Sequence, residues 1–342
     1  MLSTRRVKNL RIAIDAMGGD EAPKVVVEGV LNAAEAFQDT TMVMYGDEKQ
    51  IKQYLTKELP NIEIVHTDEK IESDDNPVRA VRRKKEASMV LAAHSVKNGE
   101  NDALFSAGNT GALLAAGTLI VGRIRGVDRP ALMATMMTTN PDRDKMLVLD
   151  LGANADTKPE NLNQYATLGS YYAEYVHQIK KPTTALLNNG TEDNKGNQVT
   201  KEAFELLKEN ESIHFIGNRE ARDIFAGVAD VLVMDGFTGN AVLKTMEGTA
   251  MTIVHLLADS IKDSGLKGKL GGLLLKDSLK EIKDSMDFSK FGGAILFGVK
   301  SPVMKTHGAT NAEAVYHTLE QTRDILQSQV ISDVVEHFES TR

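Results

Sequence analysis

The sequence predicts an α/β fold, a mostly parallel sheet covered by helices on both faces. Three observations carry that prediction. Short apolar strands alternate with helical segments along the chain. Several strands end in turns rich in Gly, Asn and Asp. No fixed-period repeat and no Pro/Ser-rich linker divides the sequence, so any two-domain layout is interwoven.

The elements follow in order. Arg11–Asp15 reads as a strand and Pro23–Phe37 as a helix. Thr41–Tyr45 is a second strand, Glu48–Leu55 a polar helix and Ile62–Val65 a third strand. Val78–Val96 reads as one long helix, Ala103–Phe105 as a buried strand, and Asn109–Val121 as a closely packing small-residue helix. Leu132–Met137 and Met146–Leu151 are two further strands. The rhythm then repeats: helix Asn161–Ile179, strand Thr184–Leu187, helix Gln198–Leu207, strands His214–Ile216 and Val231–Met234, and a long helical stretch from Asn240. Residues 1–10 read as a disordered extension and 11–342 as one domain, with a candidate amphipathic helical insertion at 262–288.

Composition narrows the function. Of 342 residues, 42% are hydrophobic and 26% charged, as in ordinary globular proteins. Trp is absent and the net charge is -8, which disfavours nucleic-acid binding. The lack of cysteine removes disulfides, thiolate metal sites and a cysteine nucleophile, and fits a cytosolic protein. Thr4-Arg5-Arg6 is not followed by the apolar run a secretion signal needs. No stretch reaches the ~18 apolar residues of a spanning helix.

Four turns carry the chemistry: 15–20 (with Gly18, Gly19 and Asp20), 106–111 (Ser106, Gly108, Asn109, Thr110, Gly111), 150–156 (Asp150, Asn154) and 235–240 (Asp235, Gly236, Thr238, Gly239, Asn240). In a parallel sheet all four would share the carboxyl edge, where open α/β folds bind ligands. Glycine admits a ligand close to the backbone, and a following helix offers unpaired N–H groups to an anion. No dinucleotide-binding G-x-G-x-x-G unit, P-loop or G-x-S-x-G elbow is present. The histidines show no metal-ligand spacing, and no metal or cofactor is implied.

Positive charge clusters at Arg79, Arg82, Arg83, Lys84 and Lys85. At helical spacing Lys85 falls between Val81 and Met89 on the apolar stripe. An inward lysine there serves a ligand phosphate or snorkels past the core. His307 is a candidate proton donor or ligand contact, with a structural histidine as the alternative. In Leu266–Met286, Leu266, Leu270, Leu273 and Leu274 share one helical face among lysines. That pattern suits an anionic membrane interface; a dimer contact or core hairpin is the other reading.

The runs IDAMGGD (14–20), RAVRRKK (79–85), SAGNTGA (106–112), LDLGAN (149–154), DGFTGN (235–240) with Lys244, FGGAILFGV (291–299) and HG (307–308) resemble the bacterial phosphate acyltransferases, the acyl-ACP:phosphate transacylases of phospholipid synthesis. The resemblance runs from Arg11 to the C-terminus. It implies an isopropylmalate-dehydrogenase-like three-layer α/β/α fold and a homodimer. It also implies conversion of acyl-ACP and orthophosphate to acyl phosphate and free ACP. Acyl phosphate would then feed a membrane glycerol-3-phosphate acyltransferase, at the inner face of the membrane.

For that reaction the residues suggest direct attack of phosphate on the thioester. Phosphate is expected at Ser106–Gly111 with Lys85, Arg82 and Lys244. Asn154 and Asn240 are expected at the carbonyl, with Asp235 or His307 protonating sulfur. Gly18, Gly19, Asp20, Asp150, Gly236, Thr238 and Gly239 complete the substrate site. Arg79, Arg83, Lys84, Arg123 and Arg125 are candidate docking charges for acidic ACP. Two rival classes are a nicotinamide-dependent decarboxylating dehydrogenase and a non-enzymatic phosphate- or ACP-sensing scaffold. The first lacks a clear metal-binding aspartate cluster, and the polar sheet edge argues against the second.

Overall fold

The computed structural model describes residues 9–275, 292–308 and 310–340, apart from the side chains of 266–269. The N-terminal half begins with β1 (Leu10–Asp15), α1 (Lys24–Ala36), β2 (Thr40–Gly46), α2 (Glu48–Tyr54) and β3 (Ile62–His66). Next come α3 (Pro77–Arg83), α4 (Ser88–Lys97), β4 (Ala103–Ser106) and α5 (Thr110–Ala116), the last continuing as a π-helical segment, Gly117–Gly122. The remainder comprises β5 (Ala131–Asn140), β6 (Arg143–Leu149), α6 (Pro159–Tyr175), β7 (Thr183–Asn188), α7 (Gln198–Glu209), β8 (His214–Glu220), β9 (Val231–Val233), α8 (Gly236–Asp263), α9 (Gly265–Leu274), β10 (Ala294–Phe297), β11 (Val303–Lys305), α10 (Ala312–Ser328) and α11 (Val330–Ser340).

Among the described residues eleven strands form one sheet, in the order β3-β2-β1-β4-β11-β10-β5-β6-β9-β7-β8. The late strands β10 and β11 sit in its middle, so the chain does cross between its halves more than once. Strands buried on both sides read as apolar runs, and Ile12, Ala13 and Ile14 of β1 are fully buried. Alternation assigns their faces. Ile12 and Ile14 join the core beneath α1, α6, α7, α10 and α11. Ala13 joins a second core beneath α3, α4 and α5. On that second face the core is divided: Leu132, Val148 and Leu232 form a separate cluster packed against the first turns of α8.

Strand direction corrects one expectation. β10 is antiparallel to β11 and β5, and β5 is antiparallel to β6, whereas the other neighbours are parallel. The sheet is therefore mostly parallel, yet β6 and β9 run opposite to β1 and β4. The turns at 15–20 and 106–111 lie on one edge of the sheet, and those at 150–156 and 235–240 on the other. The β5–β6 hairpin, turning at Pro141-Asp142, produces the reversal.

Val78–Val96 is two helices rather than one. The Lys84 N–H bonds back to Ala80 O and ends α3, and α4 starts afresh at Ser88. Lys85 therefore lies in an exposed turn, off the apolar stripe. Residues 1–8, and 276–288 of the expected insertion, lie outside the described residues; Leu10 already belongs to β1.

Candidate active site

The first edge gathers ionisable groups. Asp15, closing β1, is 2% exposed. Its Oδ1 accepts from Ser88 Oγ at 2.6 Å and its Oδ2 from Ser106 Oγ at 2.7 Å. Ser106 closes β4 and in turn accepts from Gly108 N at 2.9 Å. Burial pushes the Asp15 carboxyl up, opposed by the two hydroxyls, the Met17 N–H and the nearby charge of Lys305.

Lys305 closes β11, the strand beside β4. Val303 and Lys305 alternate onto the same face, that of the second core. Lys305 is 8% exposed, and its ammonium donates to Ala107 O at 3.3 Å and to Thr306 O. It forms no ion pair among the described residues. Burial pulls its pKa down to about 8, against the attraction of Asp15 and Asp20 and with the repulsion of Lys244. Buried charges are ordinarily paired, so an unpaired amine here is set for an anionic ligand.

Backbone closeness explains the glycines around these groups. A Cβ on Gly18 would stand 2.5 Å from Asp15 Oδ2, 2.7 Å from Gly108 N and 2.8 Å from Ser106 Oγ. Only glycine lets the first turn lie against the second. The Asp20 N–H bonds to Gly308 O at 3.0 Å, which brings the turn after β11 to the same place, with Gly19 between Ala107 and Gly308 and His307 exposed beside it. Lys244, on α8, is exposed and paired with Glu247 at 2.8 Å.

The second edge looks alike in sequence but is used differently. Asp150 is fully buried. Its Oδ1 accepts from the N–H groups of Leu132, Gly152 and Ala153 at 3.0, 3.1 and 2.8 Å. Its Oδ2 accepts from Asn154 N at 2.8 Å and Asn154 Nδ2 at 2.9 Å. The same Asn154 amide also donates to Pro130 O at 2.8 Å, so both its protons brace the turn. Asp235 caps α8, accepting from Thr238 N at 2.8 Å and Thr238 Oγ1 at 2.6 Å. A Cβ on Gly239 would sit 1.9 Å from Asp150 O, so α8 enters in backbone contact with the β6 turn. A Cβ on Gly236 would sit 2.5 Å from Asn154 O, and exposed Asn240 lies against Gly152.

The remaining sequence candidates are dispersed. Asn109 caps α5 through Ala112 N at 3.0 Å, and its amide donates to the carbonyls of Glu72, Ser73 and Asp75. Thr110 is exposed and Gly111 packs against Pro77. Arg79, Arg82 and Arg83 are exposed, and Lys84 is held by Asp75 at 2.6 Å. Arg123 lines a cavity of about 170 Å³ with Arg129, Thr118 and Asn154, at the second edge. Arg125 is exposed. Leu270, Leu273 and Leu274 are exposed on α9, and the Leu266 side chain is outside the described residues. A groove of about 910 Å³ lies by Asn101, Pro302 and Val335, away from the Asp15–Ser106–Lys305 cluster.

Sequence reasoning passed over Asp15, Ser88 and Lys305 as site residues. The signal for Lys305 was present: a lysine two residues after Val303 shares that buried face.

Residues 10–333 match the model of a family described as "Fatty acid synthesis protein". Over 330 residues the chain is 59% identical to a phosphate acyltransferase of Enterococcus faecalis, covering 96% of this chain and 99% of that protein. It is 58% identical over 328 residues to a phosphate acyltransferase of Streptococcus agalactiae, covering 96% and 98%. The chain belongs to the phosphate acyltransferase family. Among solved structures, a phosphotransacetylase from Streptococcus pyogenes matches with a TM-score of 0.61 at 19% identity, over 95% of each chain. A branched-chain phosphotransacylase from Enterococcus faecalis matches at 0.53 and 15% identity, over 93% of this chain and 99% of that one. These two share the fold. Among the described residues the enzyme has no helix long and apolar enough to cross a membrane.

Proposed function

We propose that the enzyme converts acyl-ACP and orthophosphate to acyl phosphate and free ACP, by direct attack of phosphate on the thioester. The carrying observation is Lys305, a buried amine with no ion pair among the described residues, beside the Ser106–Gly108 turn. Orthophosphate supplies the missing negative charge, with Lys244 near the rim. The acyl carbonyl then lies between the two halves of the second face, where the core is divided. Acyl phosphate would serve glycerol-3-phosphate acylation at the membrane.

The decisive assay mixes the purified protein with acyl-ACP and phosphate, traps acyl phosphate as its hydroxamate and counts released thiol. One thiol per hydroxamate is expected; no hydroxamate, or an acyl ester trapped on Ser106, overturns the reading. The exposed Arg79, Arg83, Arg123 and Arg125 suit docking of an acidic carrier, so rising salt should weaken acyl-ACP binding. Leu270, Leu273 and Leu274, the last 78% exposed, suit peripheral contact of a cytoplasmic homodimer with an anionic membrane. Leu273→Glu with Leu274→Glu should abolish flotation with anionic liposomes. Flotation that survives both changes removes that part of the proposal.

A further inference from the structure

Resting on the acyl-transfer reading, the geometry points to Lys305 as a catalytic residue that relays a proton from the attacking phosphate to the departing sulfur. The reaction itself requires such a transfer. Monohydrogen phosphate attacks the thioester carbon, a C–O bond forms, the C–S bond breaks, and the sulfur leaves as thiolate. The phosphate hydroxyl must lose its proton and the sulfur must gain one, so the net change is thioester plus HPO₄²⁻ to acyl phosphate dianion plus thiol. A group that touches both partners completes the exchange without releasing either charge into a dry cleft.

Of the two groups expected from sequence to protonate the sulfur, His307 is exposed beside the turn after β11 and Asp235 is committed elsewhere. Both Asp235 carboxylate oxygens are engaged by Thr238 as a helix cap, on the opposite sheet edge from Ser106. Lys85, expected at the phosphate, is in an exposed turn. Lys305 is instead central. Its strand is next to β4 on one side and to β10 on the other, so it stands between the phosphate turn and the far half of the sheet. Two of its three N–H groups are fixed on Ala107 O and Thr306 O. The third has no partner among the described residues and remains for a ligand.

Energetics agree with that placement. Desolvation brings the amine to about 8. An ordinary thiol titrates near ~8.5, so the proton moves between nearly matched groups, where general acid catalysis is most effective. Asp15, linked to Ser106 and Ser88, keeps the amine charged before attack by its nearby negative charge.

Leaving-group rescue tests the relay. Lys305→Met should slow acyl phosphate formation from acyl-ACP at least ~100-fold, the usual scale of general acid catalysis. With an acyl thiophenol ester of the same chain, whose far more acidic thiol leaves unprotonated, the loss should shrink below about fivefold when phosphate is saturating for both donors. Equal losses on both donors overturn the relay. Lys305→Arg keeps the charge but cannot give up its proton at neutral pH. It should remain slow with acyl-ACP, and full activity there refutes the proposal. Wild-type enzyme at saturating phosphate supplies an arm that needs no variant: its turnover with acyl-ACP should fall as pH rises through about 8, while turnover with the thiophenol ester should not. Identical alkaline limbs count against Lys305 even if the Met variant fails to fold. If wild-type enzyme yields acyl phosphate from neither donor, the functional reading has failed and not the relay alone.

Discussion

The two edges of the sheet are built from similar sequence and bonded differently. At the β1–β4–β11 edge, Asp15 is held by two hydroxyls, and nearby lies a buried lysine with no ion pair among the described residues. At the β6–β9 edge, Asp150 is consumed by four backbone N–H groups and an amide, and Asp235 by a helix cap. Backbone donors fix a carboxylate's role as scaffold, because removing it strands several N–H groups at once. Two hydroxyls and a single backbone N–H, from Met17, with an ammonium near but not bonded, leave it able to respond to a ligand. An Asp/Gly turn at a strand end thus has two meanings, decided by which donors converge on it.

The largest expected effect comes from forcing that distinction. Asp150→Ala leaves four backbone N–H groups and the Asn154 amide without their acceptor. At roughly 1–3 kcal/mol for each buried donor left unsatisfied, a loss of about 5 kcal/mol is expected after water enters some of the space. Denaturant unfolding measures it. A loss under about 1 kcal/mol would erase the contrast between the edges. Asp15→Asn should act the other way. Stability changes by only about 1 kcal/mol, because an amide oxygen still accepts from one serine. The turnover number should fall about 100-fold, by analogy with loss of one pre-organised polar group in an active site. The Michaelis constant for acyl-ACP should hardly move. A variant that is active but unstable would reassign Asp15 to scaffolding.

Acid sensitivity should belong to neither edge. His177 follows α6, packs edge-on to Tyr172 and is pulled down to about 4, chiefly by burial. Unfolded, it titrates near 6.5. Between those values the unfolded chain binds a proton that the folded chain refuses, so stability is complete above pH 6.5 and falls as pH drops toward 4. For a partly buried ring the loss is about 2 kcal/mol. His177→Phe should flatten the unfolding profile over that window, and an unchanged slope would move the effect to the buried carboxylates.

Much of the fold was legible in the sequence. Most strands begin and end within a residue or two of the expected limits, because apolar runs bounded by Gly and Asp identify buried strands locally. Direction was not legible in the same way, since a buried strand looks the same whichever way it runs. The one local clue was Asn140-Pro141-Asp142 between two apolar runs, a turn signature that marks the β5–β6 hairpin. The site was half legible for a related reason. Ser106, Gly18 and Gly108 stand in turns whose composition announces them, whereas Lys305 closes a three-residue strand whose neighbours are fixed only by the crossover of β10 and β11 into mid-sheet.

The smallest effect tests that lesson most directly. Helical periodicity placed Lys85 inward, but periodicity holds only while the helix continues. Two interactions end it: Lys84 is drawn to Asp75, and Ser88 is drawn in to Asp15 to start α4. The turn between them leaves Lys85 in solvent. An exposed ammonium acts on a ligand only through screened water, worth a few tenths of a kcal/mol. Lys85→Ala should therefore raise the phosphate Michaelis constant less than about twofold, and added salt should remove even that. On the proposed reading, Lys305→Met acts from a buried position on the same phosphate. A tenfold rise for Lys85→Ala would show that the 84–87 turn closes over the bound ligand, which would extend the working edge beyond β1, β4 and β11.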